Sequence, residues 1–292
     1  MISGRLMDLG LAASAGADGS FGWLEAIVLG VVQGITEFLP ISSSAHLLIL
    51  SRLLGWSDPG AAFTAVTQIG TELAVIVYFA RDLWRVLRAW LASFVSPAAR
   101  RDPDARLGWV IVIGTIPIAV LGLVFSNAIE TAARNLWLVS TMLIVFGIIL
   151  GLADRYGAKV RDVASLTLPN GLVLGLGQAL ALIPGVSRSG GTITTGLALG
   201  YTRAAATRVA FLLAVPAVLA SGLYEATKIS DQASVAWGPT IVATVVAFGV
   251  GLAVIAWLLR WVSTRSYLPF VVYRVVVGLI MLALLATGVV AA

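Results

Sequence analysis

Long apolar runs separated by short polar connections dominate the chain. Six of these runs reach the roughly 20 mostly apolar residues that a helix needs to cross a bilayer. They are 61–80, 108–125, 136–153, 209–226, 238–259 and 270–290. Two further apolar stretches, 21–55 and 170–200, are interrupted in the middle by Pro, Gly and Ser. The pattern predicts an all-α, polytopic membrane helical bundle with about six transmembrane helices and two re-entrant broken-helix pairs, because irregular backbone at membrane depth needs a protein or cavity environment.

Composition agrees with this class. Hydrophobic residues make up 59% of the 292 positions and charged residues 11%, against about 25% charged in soluble domains. The absence of cysteine excludes disulfides, thiolate metal sites and a cysteine nucleophile. We expect residues 1–20 to be a loose N-terminal tail, since they lack the continuous apolar run of a signal peptide, and residues 21–292 to form a single integral membrane domain.

The positions of the basic residues predict how the helices are oriented in the membrane, since short cytoplasmic loops are enriched in positive charge. Three connections rich in Arg and Lys are predicted to be cytoplasmic, namely 81–107, 154–168 and 260–269. The connections 126–135 and 227–237 carry one basic residue each and are predicted to lie outside. The net charge of +5 therefore reflects topology. Membrane lipids are expected partners and nucleic acid is not, because no soluble domain carries a basic face.

With this orientation, the interrupted stretch around Pro40 enters from outside and the one around Pro184 enters from the cytoplasm. We expect them to meet near the midplane as an inverted-topology repeat, with a first half over about 21–153 and a second over about 170–290. Such repeats place a site at their interface. The same geometry suits a transporter or flippase of an anionic lipid, which is the alternative function.

The second interruption reads Pro-Gly-Val-Ser-Arg-Ser-Gly-Gly-Thr over 184–192 and has the features of an anion site. Glycines let a ligand approach the backbone, and a helix start favours negative charge. Arg188 adds a planar fork of donors that matches phosphate oxygens. The alternative is a polar hinge whose arginine only pairs with a carboxylate.

The first interruption supplies complementary groups. Glu37, three consecutive hydroxyls over 42–44 and His46, which is the only histidine of the chain, lie within ten positions. Phosphoryl transfer needs a nucleophile, a proton acceptor and charge stabilisation, and these residue types provide them together with Arg188. Each part alone has an ordinary explanation: a histidine can be a satisfied polar residue, and Pro-x-Ser-Ser-Ser is good turn chemistry.

At these residues the chain resembles a known family, the BacA-type undecaprenyl-diphosphate phosphatases of bacterial membranes. The resemblance rests on Gly-Ile-Thr-Glu-Phe-Leu-Pro-Ile-Ser-Ser-Ser-Ala-His over 34–46, Thr-Gln-Ile-Gly over 67–70, Pro-Gly-Val-Ser-Arg-Ser-Gly over 184–190, Phe-Leu-Leu-Ala-Val-Pro over 211–216, and Pro-Phe with Tyr-Arg over 269–274. It implies hydrolysis of an isoprenyl diphosphate lipid, undecaprenyl diphosphate, to the monophosphate carrier for peptidoglycan synthesis. It also implies bacitracin resistance, a place in the bacterial cytoplasmic (inner) membrane, a site opening to the periplasmic side, and a homodimer.

The resemblance implies a need for Mg²⁺ or Ca²⁺, and the family commonly carries an acidic pair, Glu-x-x-x-Glu. This sequence has Gln33 in the first place and Glu37 in the second. The resemblance therefore implies Glu37 as a metal ligand, and we expect the lipid diphosphate to supply much of the remaining coordination.

Our hypothesis assigns four catalytic residues. Ser43 attacks the terminal phosphorus, His46 manages its proton, Glu37 orients or assists the histidine, and Arg188 stabilises charge. A second version makes His46 the nucleophile through a phosphohistidine, and the sequence leaves both open. The expected substrate-binding residues are Gln33, Ser42, Ser44, Ser187, Ser189 and Thr192.

Three other charged residues fall inside predicted spans, namely Glu72, Glu225 and Arg274. For both acids we expect a packing or surface role. For Arg274 the default is snorkelling to the inner interface, although the family resemblance around Tyr273 and Arg274 favours a structural pairing nearer the core.

Overall fold

The computed structural model describes residues 22–56, 60–132, 135–229 and 236–291, so the predicted tail over 1–20 lies outside the described residues. Within them the regular elements are helical, apart from one β-bridge between Arg161 and Tyr201. The helices are α1 Trp23–Thr36, α2 Ser43–Leu54, α3 Gly60–Tyr78, α4 Ala80–Val95, α5 Pro103–Val124, α6 Ser126–Ala132, α7 Leu136–Tyr156, α8 Leu168–Ala179, α9 Arg188–Ala198, α10 Arg203–Ile229, α11 Trp237–Thr264 and α12 Leu268–Ala286.

The predicted spans are confirmed as helices. Among the described residues, α5, α7, α10, α11 and α12 are long and apolar enough to cross a membrane, and α3 makes a sixth when it is taken with α4. The chain bends by 79° between α3 and α4. The protein is thus an all-helical, polytopic membrane bundle.

One prediction about the connections was wrong. Most of the segment 81–107 is helical and not a loop, because α4 occupies its first part and α5 begins at Pro103. The arginines of α4 lower its mean hydropathy below that of a span. They recur at helical spacing, however, and Val86 is buried between exposed Arg85 and Leu87, so α4 is an amphipathic helix.

Both broken-helix pairs are present. Helix α1 ends at Thr36 and α2 begins at Ser43, with irregular backbone over 37–42, here called the first break. After α8 and a short 3-10 turn over Leu180–Leu182, irregular backbone over 183–187 forms the second break before α9. The residues that precede α2 and α9, Ser42 and Ser187, share an unusual backbone, with φ of 75° and 76°. The two breaks therefore turn into their following helices in the same way.

The two halves of the chain exchange packing partners. Helices α1 and α3 of the first half pack on α11 of the second, while α8 and α10 of the second half pack on α5 of the first. Small residues bring the pairs close: a Cβ on Gly30 would stand 2.6 Å from the carbonyl oxygen of Ala243, and one on Gly175 would stand 2.2 Å from that of Gly114. This reciprocal arrangement is what an inverted repeat predicts.

Candidate active site

The two breaks meet, as the topology predicted. The Ser189 hydroxyl donates to the carbonyl oxygens of Leu39, at 3.2 Å, and of Glu37, at 3.3 Å. The Arg188 guanidinium forms an ion pair with the Glu37 carboxylate across the same junction. Residues about 150 positions apart in sequence thus form one cluster inside the bundle.

Glu37 is the centre of this cluster. Its Oε2 atom accepts hydrogen bonds from Ser43 Oγ at 2.6 Å and from Gln33 Nε2 at 2.8 Å, and its Oε1 atom accepts from Arg188. The Gln33 contact follows from the spacing of four residues, which places both side chains on one side of the chain. Only 7% of the Glu37 side chain and 17% of the Arg188 side chain are exposed. Such a buried charge pair is tolerated because both partners are hydrogen-bonded.

Two helix N-termini point into the cluster. Ser43 is the first residue of α2 and Arg188 the first of α9. Among the described residues, the backbone N–H groups of Ser43, Ser44, Arg188 and Ser189 have no hydrogen-bond partner, as expected for the first turn of a helix. Unpaired N–H groups and the positive ends of two helix dipoles favour an anion here.

A cavity of about 630 Å³ opens above these groups. Its polar end is formed by Glu37, Arg188, Ser187 and the three serines over 42–44. Its remaining wall is mostly apolar and comes from α3, α5, α6, α7, α10 and the turn before the second break. A ligand with a charged head and an apolar body matches this division.

Three predicted substrate-binding residues do not line the cavity. Gln33 is completely buried beneath Glu37. Thr192 is also buried, and its hydroxyl donates to the carbonyl oxygen of Arg188 at 3.0 Å, while Ser189 binds the first break. These three side chains hold the site groups in place, whereas Ser42, Ser44 and Ser187 reach the cavity.

His46 lies on α2 but forms no hydrogen bond with Ser43 or Glu37, both of which the structure describes. Its Nδ1 donates to the Ser42 carbonyl oxygen at 2.7 Å, and its Nε2 accepts from the Tyr273 hydroxyl at 2.9 Å. The two rings also stack, with centroids 5.5 Å apart and an angle of 11° between planes. The hydrogen bond that our hypothesis gave to Ser43 and His46 is thus made by Ser43 and Glu37. The spacing of Ser43 and His46 in the sequence did not reveal this, because it does not show that the imidazole is directed towards Tyr273 on α12.

Arg274 is a site residue for which the sequence left two positions open. It is completely buried, so the snorkelling default was wrong and the structure supports the alternative, a structural pairing nearer the core. Its guanidinium donates to five carbonyl oxygens. These belong to Pro40 in the first break, Gly185 and Val186 in the second, and Met142 and Leu143 of α7. One side chain thereby ties both breaks to α7.

Glu72 is buried as well, with 3% of its surface exposed, so of the two roles expected for it the structure supports the packed one. It lies within electrostatic range of Arg188 and Glu37, and its Oε1 atom has no hydrogen-bond partner among the described residues. The side chain of Glu225, the other acid for which a packing or surface role is expected, lies outside the described residues.

The residues that the family resemblance implies as metal ligands provide only part of a coordination sphere. Within the described part of the chain, the buried Oε1 atom of Gln33 has no hydrogen-bond partner. This amide oxygen and the Glu37 carboxylate oxygens are ligands of the kind that Mg²⁺ and Ca²⁺ prefer. The described part of the chain contains no group of three acidic, His or Cys side chains that would form a complete ligand set. A cation here would therefore need oxygens from a bound diphosphate.

The fold and the site together define a class: a polytopic membrane protein with an intramembrane anion site that contains a hydroxyl, a carboxylate and an arginine. Comparison with known proteins identifies the family. A family profile described as "Bacitracin resistance protein BacA" matches residues 26–280, and the chain belongs to this family.

The chain is also similar to curated relatives over most of their length. The undecaprenyl-diphosphatase of Micrococcus luteus is 59% identical over 275 residues, which cover 92% of this chain and 99% of the relative. That of a Nocardioides species is 57% identical over 271 residues, with the same two coverages of 92% and 99%. That of Renibacterium salmoninarum is 56% identical over 275 residues, covering 92% of this chain and 98% of the relative. The family resemblance inferred from the motifs is confirmed.

Proposed function

We propose that this protein hydrolyses undecaprenyl diphosphate to undecaprenyl phosphate and inorganic phosphate. The names of relatives at 56–59% identity over 92% of the chain support this activity. The observation that carries it is the contact of Ser43, at a helix start, with Glu37, which also pairs with Arg188. A transporter needs an anion clamp but no hydroxyl held by a carboxylate, and no observation favours that alternative.

Ser43 is the nucleophile in this proposal. Its Oγ attacks the terminal phosphorus and its proton passes to Glu37 Oε2, which lies 2.6 Å away and so within the range of a general base. The bond from phosphorus to the bridging oxygen breaks, and its electron pair leaves with undecaprenyl phosphate. Water then attacks the phosphoserine, and inorganic phosphate is released as the proton returns to Ser43.

Arg188 and the two helix starts bind the substrate phosphates in this proposal. In the structure the Arg188 guanidinium is paired with Glu37. A bound diphosphate draws Arg188 towards its own oxygens, while Glu37 keeps its contact with the Ser43 hydroxyl. The N–H groups at the starts of α2 and α9 stabilise charge that develops on the transferred group.

A divalent cation would be held by Glu37 and the Oε1 atom of Gln33 together with diphosphate oxygens. When bound, Mg²⁺ or Ca²⁺ would neutralise negative charge on the substrate. Chelation by EDTA is then expected to lower activity, and added Mg²⁺ or Ca²⁺ to restore it.

His46 is a positioning residue in this scheme. It holds the carbonyl oxygen of Ser42, the residue with positive φ directly before the nucleophile, and is itself held by Tyr273. The competing scheme makes His46 the nucleophile. Trapping the enzyme on labelled substrate separates the two, because phosphoserine is stable to acid and phosphohistidine is not. An acid-labile adduct would contradict the role of Ser43.

We place the protein in the bacterial cytoplasmic membrane, with the site open to the periplasmic side. The cavity is lined by the last part of α5, by α6 and by residues 217–221 of α10, which the distribution of basic loops assigns to the outer half of the membrane. The family description supports bacitracin resistance, and the proposed reaction, which regenerates the monophosphate lipid carrier, supports a role in cell-wall synthesis. A homodimer is part of the same proposal.

Phosphate release by purified protein in detergent is the direct test. Release from undecaprenyl diphosphate, and its loss in Ser43→Ala, are expected. Movement of the lipid between leaflets of proteoliposomes without phosphate release would contradict the proposal.

A further inference from the structure

A second cavity of about 670 Å³ adjoins the site cavity. Its walls come from the end of α5, α6, the start of α7, the last half of α8 and the turn that follows α8. The side chains are almost all apolar. The one hydroxyl among them, on Thr195, already donates to the carbonyl oxygen of Gly191 at 2.9 Å, so nothing in this groove calls for a polar ligand.

The groove is continuous with the site. Ile129, Leu182 and Pro184 line both cavities. Pro184 lies in the second break, four residues before Arg188, so the shared wall starts next to the phosphate-binding groups. From there the groove passes along α6 and the end of α5, towards the half of the membrane from which the site is reached.

We propose that this groove binds the isoprene units next to the diphosphate of the lipid substrate. The inference rests on the proposed function, because that activity makes the ligand a diphosphate with an isoprenoid tail. Leu182 and Pro184 line both the cavity that contains Arg188 and the groove, so the apolar part of a lipid whose diphosphate is held at Arg188 reaches the groove along a continuous apolar wall.

The size of the groove limits what it holds. A volume of about 670 Å³ lies within the ~300–1,000 Å³ of pockets that take drug-sized ligands. It therefore holds a few isoprene units, and the rest of a long polyprenyl chain stays among membrane lipids. We expect the protein to distinguish the first units of the tail and to be indifferent to its full length.

Short soluble substrates test this directly. In the wild-type protein, kcat/KM for phosphate release is expected to rise at least ~10-fold from dimethylallyl diphosphate to geranyl diphosphate, since even a single methylene in an apolar pocket changes kcat/KM by ~10-fold or more. The informative quantity is this ratio of the two kcat/KM values, because a general loss of active protein lowers both values equally and leaves the ratio unchanged.

Leu176→Trp fills the groove, and Leu172→Trp is the matched control. Both leucines lie on α8 and are similarly exposed, at 50% and 45%, but only Leu176 lines the groove. Leu176→Trp is expected to bring the ratio close to one, whereas Leu172→Trp keeps the wild-type ratio. Ala128→Trp fills the groove from the facing wall and serves as a second variant if Leu176→Trp does not fold.

The outcomes are distinguishable. A wild-type ratio in both groove-filling variants means that bulk lipid or nothing occupies the groove, and it overturns the inference while leaving the phosphatase activity intact. Failure of the wild-type protein to release phosphate from any diphosphate, including undecaprenyl diphosphate, overturns the proposed function itself and with it the inference.

Discussion

Replacing Arg274 with methionine tests the idea that one buried side chain holds the two breaks together. The carbonyl oxygens of Pro40, Gly185 and Val186 accept from Arg274 at 2.8–3.1 Å and from no other described donor. A hydrogen bond inside a membrane protein contributes ~0.6 kcal/mol on average and up to ~1.7. Of the five bonds that the substitution removes, the three to the breaks therefore amount to about 2 kcal/mol at the average value and about 5 kcal/mol at the upper value.

The loss of activity is expected to be larger than the loss of stability alone would cause. The three carbonyl groups lie in the breaks that precede Ser43 and Arg188, and a shift of about 1 Å in reacting groups can cost ~100-fold in rate. Arg274→Met and Arg274→Lys are compared by their unfolding midpoints in detergent and by kcat for phosphate release. Arg274→Lys retains the charge but not the planar fork that reaches several carbonyls, so it is expected to fall between the wild-type protein and Arg274→Met.

Arg260→Met is the control for loss of a positive charge, since Arg260 is exposed at the end of α11. It is expected to keep the wild-type midpoint and kcat. If Arg274→Met behaved like Arg260→Met in both measurements, the breaks would be held by other contacts and the assigned role of Arg274 would be wrong.

Three further changes follow from the geometry. Glu37→Gln removes the base for Ser43 and is expected to lower kcat by ~10²–10⁴-fold; a loss of less than tenfold in a phosphate-release assay would count against this role. Glycine tolerates the positive φ at position 42, so Ser42→Gly should leave the unfolding midpoint nearly unchanged. Ser42→Val should destabilise the fold by ~1–3 kcal/mol. Equal midpoints for the two variants would show that this backbone conformation is not strained. Gly175→Val places a Cβ atom 2.2 Å from the carbonyl oxygen of Gly114 and should abolish the folded protein seen by size-exclusion chromatography. Gly249→Ala is the control, because nothing lies within 4 Å of a Cβ at that position. A folded Gly175→Val variant would disprove the close packing.

The helical class and the two breaks were predictable because they depend on local properties. Runs of about 20 apolar residues have few alternatives in a membrane, and the Pro and Ser clusters around Pro40 and Pro184 interrupt them visibly. Helix α4 was missed because its arginines at helical spacing were interpreted only as positive charge in a loop. An amphipathic helix at a membrane surface and a basic loop have similar composition, and only the periodicity distinguishes them.

The candidate site was predictable as a set of residues but not as a set of contacts. The meeting of Glu37 with Arg188 followed from topology. The partners of His46 did not, because the direction of a side chain on α2 depends on the rotation of that helix against α12, which no local pattern records. The same holds for Arg274, whose acceptors are backbone carbonyls and therefore leave no signature in the sequence.

Because the two halves of the chain exchange packing partners, helices that pack together are synthesised at different times. Helix α1 leaves the ribosome well before α11, which packs on its glycine face and is synthesised about 200 residues later. At the typical rate of ~5–20 residues per second, that face waits in the membrane for ten seconds or more. During this interval lipid, or the insertion machinery, has to cover it. Neither half of the sequence can complete its own packing, so the site forms only after α11 and α12 have been synthesised.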